Sequence, residues 1–434
     1  MQQHKDAPGG NSKIERMSLS ARSRTIVIVF WILAFLVTPV WSVLDHAGWD
    51  AAIYNNAIVA LKATHDPYGD AIAVQEAFHR TLALHPNAVP PYSYVYSPIT
   101  LPLLRLMGAL PFWFSCTAYC LALIAGVFSV LWATTRATED KELTFVSLVA
   151  PLALFCPGLL AHDAILSGNV AYILYALVLL GATYGWRRGQ WLWCYLAIIV
   201  ASCFKAPLLS LVAIPLLSAR RQWLPAAGTI AIGGILFAIQ PLLWPSLFRH
   251  FLEAVNLQFT YNHDFGSSPA GIFSDILVHH GIPYSSASIV FYLLYATAIV
   301  ALLLYLSQQF LRGKFTLRQW MPVLLVGVVL LNPRIMEYDA APLAIPMALI
   351  GWRFFTRSGA TPRAVIAYLS FFLAANLLAV PFAGAWKPTE CFLLVSLFTI
   401  GCRDLLRQCR VPSTLPPPSA STSSKTEALI SANS

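Results

Sequence analysis

Residues 25–44, "TIVIVFWILAFLVTPVWSVL", contain no charged side chain over a length that crosses a bilayer. Runs of this kind recur along the chain, at 111–134, 143–160, 169–186, 190–204, 206–218, 223–244, 287–306, 320–332, 340–355, 364–383 and 389–402. In hydrocarbon every backbone polar group must find a partner inside the protein, so repeated apolar runs fold as helices packed in a bundle. Only 11% of the residues are charged and 58% are hydrophobic. A soluble domain typically carries about 25% charged residues. The expectation is an all-α, polytopic transmembrane bundle of about twelve helices. The runs 190–204 and 206–218 meet at Lys205-Ala206-Pro207, which reads as two half-length helices or one kinked element.

The net charge of +9 does not mark a nucleic-acid protein, because the basic residues lie in short clusters between apolar runs. With the N-terminus inside, 21 of the 28 Lys and Arg residues fall on the inner side and 7 on the outer. That bias follows the positive-inside rule and supports both this orientation and an even number of spans. It also requires that 97–110 not cross; Arg105 in mid-run suits an amphipathic helix at the interface. The expected organisation is a cytoplasmic segment 1–24, a membrane domain 25–403 with outer loops 45–110 and 245–286, and a disordered cytoplasmic tail 404–434 rich in Pro, Ser and Thr. The polar N-terminal stretch and the lack of a small-residue cleavage site argue against a cleaved signal peptide. The eight cysteines lie in apolar runs or the basic tail, which suggests neither disulfides nor a metal site.

The costly polar residues gather on the outer side. "WDAAIYNNAIVALK" (Trp49 to Lys62) has helical periodicity and ends at "HDPYG". Asp50 and Tyr54, four apart, share a face; Asp50 could serve as the helix cap, alone or with a second role. "PPYSYVYSPI" carries Tyr94 and Tyr96, either as an interfacial aromatic belt or as a platform for a sugar or headgroup. "HDAILSGNV" brings Asp163 and Asn169 to the same side, with a helix start near Gly168 whose N–H groups face an anion. Lys205 is either snorkelling or functional. "FTYNHDFGSSPAGIF" holds Tyr261, Asn262, His263 and Asp264. "LNPRIMEYDAAPL" places Arg334, Glu337, Tyr338 and Asp339 between apolar runs, with an Arg334–Glu337 bridge as the structural alternative.

No phosphate loop, dinucleotide fingerprint, HExxH or CxxC is present, which argues against ATP, NAD and zinc. One carboxylate, a few cations and a membrane suit glycosyl transfer from a lipid-linked phosphosugar. The carboxylate deprotonates the acceptor hydroxyl, and the cations stabilise the leaving phosphate. A transporter or flippase would place ionisable groups near the midplane. A polymer ligase or polymerase would lean on loop residues such as Arg249 and His263.

Four stretches in order carry a resemblance: "WDAAIYNNAIVALKATHDPYG", "YSYVYSPITLPLLRLMGALP", "SGNVAYILYALVLLG" followed by "KAPLL", and "LNPRIMEYDAAPLAIP". Over roughly 25–350 the chain resembles the glycosyltransferase family 87 group of GT-C enzymes, to which polyprenol-phosphate-mannose-dependent mannosyltransferases belong. The resemblance implies inverting transfer of a hexose or pentose from a polyprenyl phosphate to a lipid or glycan acceptor on the extracytoplasmic face of the inner membrane. It implies no cofactor beyond that co-substrate. The family's first-loop aspartate maps to Asp50, because Tyr54 stands at the right interval and Asp45 has no such partner. Tyr54, Tyr94, Tyr96, Asp163, Asn169, Lys205, Arg334, Tyr338 and Asp339 are the expected substrate-binding residues, and no metal ligand is expected. The family's Gly-Gln-x-Asn stands here as Ser167-Gly168-Asn169, and its late Ser-Pro as Asn332-Pro333.

Overall fold

The computed structural model describes residues 48–82, 94–137, 167–262, 265–282, 286–379 and 386–410, with Thr25, Ile26 and Val29. Most of the expected span 25–44 and the whole of 143–160 lie outside these residues. Every regular element among the described residues is helical. In chain order they are α1 (Trp49–Thr64), α2 (Gly69–Leu82), α3 (Leu101–Ala109), α4 (Phe112–Ala137), α5 (Ala171–Arg188), α6 (Leu192–Phe204), α7 (Ala213–Ser218), α8 (Trp223–Ala238) and α9 (Gln240–Leu243). There follow α10 (Pro245–Asn262), α11 (Pro269–His279), α12 (Ser286–Leu311), α13 (Leu317–Leu330), α14 (Glu337–Ala340), α15 (Ala344–Phe355), α16 (Pro362–Ala379) and α17 (Trp386–Arg410).

Among the described residues, three helical stretches are long and apolar enough to cross a membrane: Phe112–Ala137, Trp223–Leu243 and Ser286–Leu311. They are also little buried, and α4 turns Phe112, Trp113, Phe128 and Trp132 outward. Such a surface is untenable in water and natural against lipid. This is a membrane protein.

The shorter helices have a different environment. α13 is buried continuously from Trp320 to Leu330 and packs against α12, α15 and α17. A helix surrounded by protein need not match the bilayer thickness, because loops of the same protein close its ends. α13 also contains Pro322, which lacks the N–H that the Arg318 carbonyl would accept. The Arg353 guanidinium donates to that carbonyl instead.

Local chemistry sets the boundaries. α5 ends on Arg187 and Arg188, whose charges suit the negative helix terminus, and on Gly189 at φ 72°, a left-handed C-terminal stop. α6 stops at Lys205, whose extended backbone (φ −132°, ψ 100°) leads into a 3-10 segment, Ala206–Val212, and then α7. The element is thus broken at the Lys-Ala-Pro turn. α3 is only nine residues long, buries Leu101 and Leu104 and leaves Arg105 exposed, as an interfacial helix would. α17 runs past the expected boundary at 403 to Arg410, because Leu405 and Leu406 keep an apolar face on the bundle.

α5 and α6 approach so closely that a Cβ on Gly181 would stand 2.6 Å from the backbone nitrogen of Cys194. Small residues allow helix backbones to meet in membranes, where packing replaces the hydrophobic effect. Gly181→Leu should therefore force α5 from α6 and cost about 1–3 kcal/mol, the usual range for overpacking. A thermal unfolding series in detergent measures it as a lowered midpoint, with Gly228→Leu, which meets open space, as the control.

Candidate active site

The N-terminus of α1 is the first component. Gly48 precedes it with φ 87°, and no side chain caps it. Asp50 is therefore not the cap; it is the second helical residue. The Asp50 and Ala51 N–H groups both donate to the Ser167 carbonyl, at 2.9 and 3.2 Å. In return the Asn169 side-chain amide donates to Asp50 Oδ2 at 2.9 Å. The Asn169 oxygen accepts the Ala171 N–H at 2.9 Å, which fixes which end of the amide faces the carboxylate.

Two amides of the turn 167–170 are spent within the protein. The Asn169 N–H goes to Ser167 Oγ at 3.1 Å and the Val170 N–H to the Tyr54 hydroxyl at 3.2 Å. Its work is to position Asp50. Asp163 lies outside the described residues, as do His263 and Asp264.

Tyrosines form the layer beneath. Tyr54 and Tyr96 share a hydroxyl–hydroxyl bond of 2.9 Å, and the Tyr68 hydroxyl donates to the Tyr96 carbonyl at 2.7 Å. Tyr94 spends its hydroxyl on Thr100 at 2.6 Å and packs against Tyr68 and Tyr96. Tyr54, Tyr94 and Tyr96 are all buried, so they are neither a surface belt nor an open platform. Burial pushes the Tyr54 and Tyr96 phenols well above their ordinary range and keeps them neutral. Ser97 Oγ donates to the Cys203 carbonyl at 3.1 Å, tying this segment to the end of α6.

That end carries Lys205. Its ammonium lies 3.7 Å from Asp339 Oδ1 and 3.6 Å from the centre of the Tyr338 ring. The side chain is 17% accessible, so Lys205 does not snorkel; it is paired. Burial pulls the Lys205 amine below its usual value, and the Asp339 carboxylate opposes that shift. Asp339 Oδ2 accepts the Met336 N–H at 3.2 Å, which anchors the carboxylate to the start of α14.

Arg334 is the second cation. Its guanidinium stands 5.6 Å from the centre of the Phe259 ring, and the Arg334 backbone N–H donates to Asn332 Oδ1 at 3.1 Å. Burial raises the Asp50 carboxyl above its ordinary range; hydrogen bonds from Asn169 and Ser167 and the charges of Lys205 and Arg334 pull it back. One carboxylate thus sits in the field of two cations, with Asp339 as the local counter-charge.

Several contributors carry little or no mark in the sequence. Ser267 and Ser268, inside the quoted "FGSSP", hold the Arg334 loop on both sides. Ser268 Oγ donates to the Pro333 carbonyl, while the Ser267 N–H and Oγ reach the Ile335 carbonyl at 2.7 and 3.1 Å. Glu390, fully buried on α17, accepts from Ser267 Oγ at 2.8 Å. Tyr119, on α4, donates to the Gly168 carbonyl. The serines stood beside a Gly-Ser-Ser-Pro turn signal; nothing local marked Tyr119 or Glu390 as partners of residues so distant in sequence.

The fold and this cluster define a membrane-embedded protein with a carboxylate–cation centre at one end of its bundle. The family model of glycosyltransferase family 87 matches residues 94–333, more than half of the chain, and the chain belongs to that family. It is a membrane glycosyltransferase. The matched stretch contains Tyr94, Tyr96, Asn169 and Lys205 and stops short of Asp50 and Arg334. No curated protein and no solved structure matches the chain.

Gly266 sits at φ +73°, and a Cβ there would lie 2.3 Å from the Ile335 carbonyl oxygen. Gly266→Ala should cost about 1–3 kcal/mol through backbone strain and displace the Arg334 loop. The expected result is a lower unfolding midpoint together with faster proteolysis at Arg334; unchanged cleavage at Arg334 would show that the 265–268 segment does not hold that loop.

Proposed function

We propose that the protein transfers a hexose or pentose, mannose-like, from a polyprenyl-phosphate donor to a hydroxyl of a lipid or glycan acceptor, with inversion. The supporting observation is the Asp50 carboxylate held by Asn169 within the field of Lys205 and Arg334. The acceptor oxygen attacks the anomeric carbon and forms the new C–O bond. The bond from that carbon to the phosphate oxygen breaks, and the polyprenyl phosphate leaves with the electron pair. The acceptor proton passes to Asp50, the general base. Lys205 and Arg334 stabilise the charge that grows on the departing phosphate. Tyr54, Asp163 and Asn169 position Asp50 and the sugar or acceptor, and Tyr96 supports them from below. Tyr338 and Asp339 hold the Lys205 ammonium in place, and Tyr94 braces the tyrosine layer.

On this reading the chain has the GT-C architecture with about twelve spans in the inner membrane. Both termini are cytoplasmic and the centre is extracytoplasmic. The distribution of Lys and Arg supports that orientation. The donor is a co-substrate, and the reaction as drawn uses no metal or other cofactor. Membership of a glycosyltransferase family favours this over a transporter. A ligase-like centre on Arg249 is disfavoured, because Arg249 is exposed on α10.

The test is incubation of purified protein with a panel of polyprenyl-phosphate sugars, scoring donor consumption; no consumption of any donor, with folding intact, would refute the reading. Asp50→Asn should lower kcat/KM by about 10²–10⁴-fold, the usual contribution of a general base. Because burial raises the Asp50 pKa, wild-type kcat/KM should fall on acidification at a pH above the ordinary carboxylate range, and Asp50→Asn should lose that limb. An acidic limb that persists in Asp50→Asn would assign the base elsewhere.

Lys205→Met strands Asp339 in a buried site, so it is best made beside Asp339→Asn. The double variant should raise KM for the donor and leave KM for the acceptor nearly unchanged. An unaltered donor KM would remove Lys205 from the phosphate site.

A further inference from the structure

The end of the bundle away from Asp50 carries a second constellation that glycosyl transfer does not use. α15 begins beside Asp339 and ends at Phe355, about 18 Å further along at 1.5 Å per residue. At that far end Arg403, Arg407 and Arg410 follow one another at i, i+4 and i+7 on one face of α17, all exposed. A cavity of about 490 Å³ opens beside them, lined by these three arginines and by Leu302, Phe398 and Leu406. A second cavity, of about 350 Å³, reaches Arg407 from the other side, among Arg353, Arg357 and Asp404.

The two cavities differ in charge balance. In the second, the cations are committed: Arg353 donates to the Arg318 carbonyl and Arg357 is paired with Asp404. In the first, no carboxylate or carbonyl among the described residues pairs with Arg403, Arg407 or Arg410. The crowding is felt nearby: partial burial and then the charges of Arg407 and Arg403 lower the pKa of Arg357. Away from the arginines the first cavity is mostly apolar, with Thr399 and Cys402 among its lining. Leu302 comes from the lipid-facing helix α12, and Phe398 and Leu406 lie along α17.

A ligand for such a cavity has an anionic head and an apolar body. A free inorganic anion would leave the apolar floor uncovered. A nucleic acid would meet three cations beside a wall of lipid. We infer that this cavity binds an anionic phospholipid of the surrounding bilayer, its phosphate on Arg403, Arg407 and Arg410 and its acyl chains along Leu302 and Phe398. The inference rests on the chain being a membrane protein, not on the transfer chemistry at Asp50.

The test titrates the full-length protein in detergent with phosphatidylglycerol or phosphatidylcholine and counts bound lipid by native mass spectrometry. Wild type should hold phosphatidylglycerol at least ~10-fold more tightly than phosphatidylcholine, the preference that three cations at a membrane surface, at ~1 kcal/mol each, would exceed. R403Q/R407Q should lose that preference, and R403K/R407K should keep most of it. L302W, which fills the floor and keeps every charge, should also weaken phosphatidylglycerol. If the double Gln variant aggregates, R410Q is read in the same way. Equal retention of the two lipids by wild type, or unchanged phosphatidylglycerol binding in the Gln variants, would overturn the proposal. So would displacement by millimolar inorganic phosphate with L302W unaffected, which would describe a plain anion site.

Discussion

Hydrocarbon offers no hydrogen bonds, so a broken helix in a membrane protein survives only where other protein groups complete its backbone. The irregular segments of this chain obey that constraint together. The turn 167–170 supplies its Ser167 carbonyl to the head of α1. The 94–100 segment reaches the Cys203 carbonyl, next to the break at Lys205. The 265–268 strap satisfies the Pro333 and Ile335 carbonyls around Arg334. Each irregular piece thus completes another. Their convergence at one end of the bundle brings a carboxylate and two cations to one place, and the regular helices are the frame that lets them meet.

The same constraint explains what could be read from the sequence. The apolar runs report burial in lipid or protein, so the helices at 112–137, 192–204, 223–243 and 286–311 fall close to where periodicity puts them. Pro207 announces the break after Lys205, and Arg105 announces that the 101–109 helix does not cross. Asp50, Asn169, Lys205 and Arg334 stood out because charge and amide groups are scarce beside apolar runs. Their partners did not. Asp50 looks like a helix cap from its position, yet Gly48 takes that place and Asn169, 119 positions away, takes the carboxylate. Tyr94 looks like an interfacial aromatic and is buried on Tyr68. A single sequence reports the cost of a residue's placement and is silent about which distant group repays it.

The electrostatics of the centre follow from burial. Two partly buried cations would be costly without a counter-charge, and Asp339 supplies one to Lys205. At 3.7 Å the pair is longer than a tight charge-assisted bond, so the ammonium is held and still able to turn toward another anion. Tyr338 beneath it contributes a face of negative potential without adding charge. On the proposed mechanism the donor phosphate would enter such a centre by exchanging partners with Asp339. Asp50 sits in a different balance: desolvation raises its proton affinity while the two cations and Asn169 lower it. The net effect makes the carboxylate more basic than an exposed one, the direction that suits the general base of the proposed mechanism.

The two ends of the bundle therefore use the same residue types for different physical ends. At one end Lys205 and Arg334 are partly buried and set over aromatic rings, and the Arg334 backbone is bonded within its own loop. Placing them there costs desolvation energy, and a topology signal alone would not require it. At the other end Arg403, Arg407 and Arg410 stay exposed on a continuous helix, where charge is cheap and orientation in the membrane is served by number alone. Orientation, though, would be served equally by arginines scattered round the helix. Their placement on one face, above an apolar floor, is a restriction that counting charges does not explain.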